Sequence, residues 1–194
     1  SYYLGVLYVE LGNKMYAVTA FDKSRNLPSD KSVQEESLFQ YAKLNYELGR
    51  SDEAISSFQE YTKSFPGGKY AEEVSDLISE AFFHTNDYEK AIAYTKSVNK
   101  KTPKIKEIFQ KATFYKGVED FNKSQYKSAV NYFTQSLSSP QIKEFEIKAH
   151  YWLAETYAIG SKLSEALPHY QQVIWNAGEN VVEKNKARYG IGYI

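Results

Sequence analysis

Three carboxylates, Glu73, Asp76 and Glu80, recur at three- and four-residue intervals and are followed by Phe83 and His84. On a helix this spacing places all three carboxylates on one face. Such a face could bind a metal ion or act in acid–base catalysis, but it can also contact a basic partner or simply be solvated. Because runs of like charge are most often solvated, we expect solvation or a basic partner here rather than catalysis.

No other group of residues indicates catalytic chemistry. The three histidines, His84, His150 and His169, form no metal-ligand pair at helical spacing, and there is no Gly-rich phosphate loop and no nucleophile motif. We therefore expect a protein that is not an enzyme and that has no metal and no cofactor. The sequence contains no cysteine, which excludes disulfides but is compatible with a bacterial cytoplasm or periplasm alike.

An internal repeat organises the chain. Five alanines stand 37 or 38 residues apart, and four of them lie four residues before an aromatic side chain: Ala17, Ala54, Ala91, Ala129 and Ala166. A period between about 20 and 50 residues is typical of a solenoid, in which each unit buries its apolar face against its neighbours. Function is then expected from a surface rather than from a pocket.

The order of residues within each repeat resembles the tetratricopeptide repeat. Leu4-Gly5 and Tyr8 precede a turn at Gly12-Asn13, and Ala17 and Phe21 follow it. The family signature places Leu-Gly-x2-Tyr on a first helix and Ala-x3-Phe on a second. Later repeats depart from it at three positions: Asn45, Thr95 and Asp120. The resemblance implies an all-α, right-handed superhelical solenoid of antiparallel helix pairs.

The predicted organisation is a single solenoid over residues 1–194. Its repeats cover about 1–29, 30–67, 68–104, 105–141 and 142–180, with 181–194 as the first helix of an incomplete sixth repeat. The last stretch, which includes Tyr189, Ile191, Tyr193 and Ile194, lacks the polar outer face of a terminal repeat, so we expect a piece of a longer array.

Side-chain spacing supports helix pairs independently of the resemblance. Apolar residues along 34–48 and 52–64 follow helical rather than alternating spacing. Small residues on the first helices allow two helix axes to approach closely; they are Gly5, Ala42, Ser79, Gly117 and Ala154. Ser51-Asp52 and Ser164 are predicted to cap the second helices that follow them, with Pro168 in a first turn. Trp152 and Trp175 are expected to be packing residues.

The linker Phe65-Pro66-Gly67-Gly68-Lys69-Tyr70 resembles those of bacterial envelope proteins, such as the outer-membrane assembly lipoproteins and the Tol-Pal-associated coordinator. This resemblance favours the bacterial cell envelope, although the sequence is compatible with cytoplasm or periplasm. The net charge is zero, with 24 basic and 24 acidic residues, so nucleic acid is not an expected partner. No apolar run of about 18 residues is present, so we expect no membrane insertion by this segment.

The resemblance also implies a concave peptide groove lined mainly by the first helices. The family's groove positions correspond to Phe39, Lys43, Tyr46, Asp76, Glu80, Phe83, Phe114, Val118, Phe121, Tyr151, Glu155 and Tyr189. Aromatic side chains dominate this set, and they anchor peptides well because they bury a large area with few torsions. The alternative is that some of them only pack between repeats.

Some family members hold C-terminal carboxylates with a lysine and asparagine clamp. Here the corresponding positions hold Lys43 but also Glu80, Val118 and Glu155, so the clamp is not reproduced. We instead predict a protein-binding scaffold with an aromatic, locally acidic groove. Two alternatives remain open: a structural module that self-associates through exposed repeat ends, and a regulatory region of a larger protein whose enzymatic domain lies elsewhere.

Overall fold

The computed structural model describes residues 1–28 and 30–193; Ser29 and Ile194 lie outside the described residues. Across that range the secondary structure consists of helices, and no strand occurs. In chain order they are α1 (Tyr2–Glu10), α2 (Lys14–Arg25), α3 (Lys31–Glu47), α4 (Ser51–Ser64), α5 (Ala71–His84), α6 (Tyr88–Ser97), α7 (Pro103–Asn122), α8 (Tyr126–Leu137), α9 (Lys143–Ile159), α10 (Leu163–Asn176) and α11 (Val182–Ile191). The expected all-α fold class is confirmed.

The chain divides into two compact units. The N-terminal unit, Ser1–Asp87, contains α1 to α5, and the C-terminal unit, from Tyr88 onward, contains α6 to α11. In each unit consecutive helices pack against one another. The five repeat alanines at 17, 54, 91, 129 and 166 are all completely buried, so the repeated position is a core position in both units.

The small residues of the first helices make room for aromatic rings of the second helices. A Cβ atom added at Gly5 would lie 2.8 Å from the ring of Phe21, and one added at Gly117 would lie 2.7 Å from the ring of Phe133. Gly190 of α11 has the same relation to Tyr170, at 2.7 Å. A real Cβ cannot stand that close, so each ring occupies the space that the missing side chain leaves.

The turn between the two helices of a pair has the same conformation in all five repeats. One residue in each turn has a positive φ, with values between 56° and 74°, and these residues again stand 37 or 38 positions apart: Gly12, Gly49, Asn86, Ser124 and Ser161. The next residue donates its amide five residues back, from Asn13 to Tyr8, Arg50 to Asn45, Gln125 to Asp120 and Lys162 to Tyr157, at 2.8–2.9 Å. This pattern is a Schellman motif, which ends the first helix and reverses the chain.

The predicted caps at two second helices are wrong. α4 begins at Ser51 itself and α10 begins at Leu163, one residue before Ser164, and the flanking Arg50 and Lys162 make no side-chain cap bond. Pro168 consequently lies inside α10 rather than in its first turn. The Schellman turn explains the difference, because it fixes the residue at which the second helix starts, so no side-chain cap is needed to set that start.

A histidine pair joins α9 to α10. Nδ1 of His150 lies 2.9 Å from Nδ1 of His169, and the ring of Tyr157 stacks on His169. Burial, followed by the charge of His169, lowers the pKa of His150 from its ordinary 6.5 to about 4, and burial also lowers the pKa of His169. The pair is therefore held in its neutral form near pH 7.

Close packing at the repeat alanines predicts a clear difference between two positions on α6. Ala91→Leu should destabilise the protein by roughly 1–3 kcal/mol, because added methylenes in a filled core force the helices apart. Ala93, two residues on, is exposed and serves as the matched control. Thermal unfolding measures both variants, and equal midpoints for Ala91→Leu and Ala93→Leu would show that the alanine position is not a packing constraint.

The left-handed turn predicts that glycine stabilises position 161. A non-glycine residue with positive φ costs about 1–2 kcal/mol, part of which the entropy of glycine offsets, so Ser161→Gly should raise the free energy of unfolding by about 0.5–1 kcal/mol. Ser138, with φ of −71°, is the control, and Ser138→Gly should bring no gain. Chemical denaturation checks both variants, and a loss of stability in Ser161→Gly would contradict the assigned conformation.

The histidine pair predicts a pH-dependent stability. Because the folded-state pKa of His150 is depressed, the unfolded chain binds more protons between pH 4 and 6.5, and the free energy of unfolding should fall as pH is lowered through that window. His150→Gln should flatten this slope relative to the parent protein. Urea unfolding across the window measures the slope, which would be equal in both proteins if the pair did not titrate as described.

Candidate functional site

The acidic face predicted on α5 lies beside α3 in the N-terminal unit. Nζ of Lys43 on α3 pairs with Oε1 of Glu73 on α5 at 2.8 Å, and the same ammonium lies 5.4 Å from the ring centroid of Phe39. Both charged side chains are more than a third exposed, so the pair adds little to stability. The pair neutralises the charge of Lys43, which is the basic residue among the predicted groove positions.

Tyr46 lies beside a second carboxylate of this face, that of Glu80. Burial, followed by the charge of Glu80, raises the pKa of Tyr46 to about 12. The imidazole of His84 lies 6.4 Å from the Tyr46 ring and 5.8 Å from the ring of Phe83. The structure therefore brings the Glu80 carboxylate together with the phenol of Tyr46 and the rings of Phe83 and His84.

We name this surface the α3–α5 face. Its members are Lys43, Tyr46, Glu73, Asp76, Glu80 and Phe83, and none of them is fully buried. Three acidic groups and one basic group give the face an excess of negative charge. Five of the twelve residues predicted for the groove lie on this face, and the sixth member, Glu73, comes from the charge pattern on α5.

Two of the predicted groove residues are buried and therefore pack in the core. Phe39 is 2% exposed and stacks on Tyr70 with ring centroids 3.9 Å apart. Phe114 is 4% exposed and contacts the ring of Phe145 edge-to-face at 5.3 Å. For these two residues the structure favours the packing alternative, because neither ring is accessible to a peptide.

Val118 and Phe121 are intermediate in exposure and pack on the core of the C-terminal unit. The Phe121 ring lies 4.9 Å from the ring of Trp152, which is partly buried as expected for a packing residue. The expectation for the other tryptophan is wrong: Trp175 is 70% exposed. Its position near the end of α10 leaves the ring outside the contact with neighbouring helices.

The remaining predicted residues, Tyr151, Glu155 and Tyr189, line a single cleft in the C-terminal unit, between α9, α10 and α11. Tyr170 also lines it and donates its hydroxyl to Oε1 of Glu155 at 2.7 Å. The sequence grouped Tyr151, Glu155 and Tyr189 by their position in the repeat, but it gave no signal for Tyr170, which belongs to a second helix. This cleft and the α3–α5 face resemble each other chemically, since each has a carboxylate beside a tyrosine side chain.

A buried charge cluster at the fourth repeat was not predicted. Asp120, treated from sequence as a departure from the family tyrosine, is 2% exposed and lies 3.1 Å from Nζ of Lys116, which also pairs with Glu89 at 2.9 Å. Ser128 donates its hydroxyl to the other Asp120 oxygen at 2.5 Å. Burial works against the charge of Lys116, but its hydrogen bonds to Glu89 and Asp120 outweigh that and raise its pKa. The Lys116 ammonium therefore lies between a buried carboxylate, Asp120, and an exposed one, Glu89.

Over residues 1–28 and 30–193, no group of three histidine, cysteine, aspartate or glutamate side chains could hold a metal ion. Within the same ranges, no helix combines the length and apolar character needed to cross a membrane.

Comparison with known proteins identifies one repeat and the fold. Residues 36–68 match the family model described as Tetratricopeptide repeat. The matched segment covers most of α3, all of α4 and the linker as far as Gly68. The sequence has no significant match among curated proteins.

Solved structures of MamA are similar to the whole chain in fold. A crystal structure of MamA is 17% identical, covers 96% of this chain and 98% of its own, and superposes with a TM-score of 0.51. MamA AMB-1 is 17% identical and covers 94% and 92%, and a MamA RS-1 double mutant is 17% identical and covers 88% and 88%, both with a TM-score of 0.51. At this identity the likeness concerns the fold alone. Residues 36–68 are thus a tetratricopeptide repeat, and the chain has the all-α fold of helix pairs seen in the MamA structures.

Proposed function

We propose that this protein is a non-catalytic scaffold that binds a protein segment carrying lysine or arginine next to an apolar residue. The observation that carries the proposal is the α3–α5 face, where the Glu80 carboxylate lies beside Tyr46 and near partly exposed aromatic rings. A carboxylate in this position can accept a charge-assisted hydrogen bond from a lysine or arginine. An adjacent ring supplies apolar area for the neighbouring residue of the partner.

Charge on the α3–α5 face supports a basic rather than an acidic partner. Lys43 is already paired with Glu73 at 2.8 Å, so it is not poised to receive a carboxylate. The face has two more acidic than basic groups although the whole chain has no net charge. Such a local field raises the association rate of an oppositely charged partner and favours it over an acidic one.

The partners of the carboxylates on the α3–α5 face suit binding. Glu73 pairs with a lysine and Glu80 lies beside a tyrosine, and neither arrangement is a nucleophile with a general base.

The proposal includes a location in the bacterial cell envelope, because the linker over residues 65–70 resembles those of envelope proteins. In this structure Oε1 of Glu35 accepts the hydroxyl of Tyr61 at 2.5 Å and the amide of Lys69 at 2.6 Å, so the linker has a defined conformation of its own.

A second candidate function is self-association through α1. Tyr3, Leu7 and Leu11 stand four residues apart and are 85%, 48% and 68% exposed, which gives α1 an uncovered apolar stripe. Sedimentation equilibrium shows whether the chain self-associates or remains a monomer. A concentration-dependent dimer that Leu7→Glu abolishes would support it, and a monomer at all concentrations would exclude it.

Selection from a random peptide display library tests the proposed function. We expect the purified chain to enrich peptides with lysine or arginine beside an apolar residue. The double variant Asp76→Asn, Glu80→Gln should weaken binding of the enriched peptide by about 2- to 30-fold, because each exposed charge pair contributes roughly 0.2–1 kcal/mol. Raising the salt from 0.1 M to 1 M should weaken the parent in the same direction.

The matched control is the double variant Asp52→Asn, Glu53→Gln. It removes the same charge from exposed positions at the start of α4, outside the α3–α5 face, and should leave the affinity unchanged. Enrichment of acidic peptides, or equal loss of affinity in both double variants, would contradict the proposed mode of binding.

A further inference from the structure

The cleft between α9, α10 and α11 in the C-terminal unit has the size and the lining of a binding site. Its volume is about 760 Å³, and its lining includes Tyr151, Glu155, Tyr170, Lys186, Tyr189 and Tyr193. That volume is within the usual range for ligand sites, which is roughly 300–1,000 Å³. Four tyrosines surround one carboxylate in this lining, and these groups determine what the cleft can bind.

Glu155 is the fixed centre of this cleft. Its carboxylate accepts the hydroxyl of Tyr170 at 2.7 Å, and the phenol of Tyr151 lies close to it. A carboxylate offers about four acceptor positions, so Tyr170 orients Glu155 without saturating it. Burial, followed by the charge of Glu155, raises the pKa of Tyr151 to about 12, so the phenol remains a neutral donor at physiological pH.

The aromatic walls add a second attraction for positive charge. The rings of Tyr151 and Tyr170 lie 6.5 Å apart, and those of Tyr189 and Tyr193 lie 4.9 Å apart with their hydroxyl oxygens at 2.7 Å. Ring faces attract cations within about 6 Å, and Nζ of Lys186 already lies 5.8 Å from the centroid of Tyr151. Tyr189 and Tyr193 are 68% and 73% exposed, so an incoming group can reach them.

We propose that this cleft binds the cationic side chain, lysine or arginine, of a partner segment, between the tyrosine rings and the Glu155 carboxylate. The proposal rests on the proposed function and adds a specific pocket for the basic residue, in the C-terminal unit rather than on the α3–α5 face. Lys186 is then an intramolecular cation that competes for the same rings.

Titration with small probes, followed by the aromatic resonances in NMR, tests the pocket without knowledge of the partner. Nα-acetyl-lysinamide and Nα-acetyl-argininamide should shift the tyrosine ring signals saturably, whereas Nα-acetyl-norleucinamide, which has the same length of apolar chain but no charge, should not. Equal binding of the norleucine probe would overturn the proposal, because the cleft would then be merely apolar.

Substitutions locate the effect in the cleft. Tyr189→Leu, at an exposed position, should weaken the cationic probes by about 2- to 30-fold, and Glu155→Gln, which keeps the acceptor for Tyr170 but removes the charge, should weaken them as well. Glu144→Gln lies on the same helix but outside the cleft lining and should have no effect. Circular dichroism confirms that each variant is folded, and unchanged affinity in both cleft variants would overturn the proposal.

Lys186→Met separates a cation site from an anion site. If Lys186 competes for the rings, its removal should strengthen the binding of the cationic probes. If the cleft instead binds anions through Lys186, acetate should bind to the parent and be lost from Lys186→Met, which would overturn the proposal. The outcome is independent of the α3–α5 face: probes that bind the cleft while the library yields no basic peptide would reject the proposed function and leave the pocket standing.

Discussion

The helix pairs α1–α2 and α7–α8 depend on a contact between a small residue on the first helix and an aromatic ring on the second, and α10 meets α11 through the same kind of contact. At Gly5, Gly117 and Gly190 a Cβ atom would lie less than 3 Å from a ring of the facing helix, so the ring fits only where the side chain is missing. The contact fixes how closely two helices approach and at which level along their axes they meet. Since the repeat alanines are completely buried in the same layers, the core tolerates little change of volume at either kind of position.

The Schellman turns are the second constraint on how the helices pack. Because a positive φ recurs at the same place in all five turns, each first helix ends at the same position of the repeat and each second helix starts in the same register. This register delivers the aromatic ring to the small residue. It also determines which side chains of the first helices are left partly exposed, and Tyr46, Glu80, Tyr151 and Glu155 are among them.

The sequence predicts the parts of this structure that repeat. The 37-residue interval, the buried alanines and the alternation of helices follow from spacing, since the same packing is imposed at every turn of the array. The sequence does not predict the features that depend on a contact between two particular side chains. Phe39 and Phe114 occupy groove positions of the family but fill the core because Tyr70 and Phe145 happen to lie beside them. The meeting of His150 with His169, and the burial of Asp120 with Lys116, likewise arise from neighbours on other helices.

Photo-crosslinking from the α3–α5 face tests the proposed binding mode most directly. With p-benzoyl-phenylalanine in place of Phe83, irradiation in the presence of the partner segment should yield a cross-linked peptide that carries lysine or arginine next to an apolar residue, with a yield that falls as salt is raised. Phe83 is partly exposed on this face, so the probe can report on contacts there. A cross-link found only to another copy of this chain, or only to an acidic segment at a yield insensitive to salt, would contradict the proposed role of the acidic aromatic face.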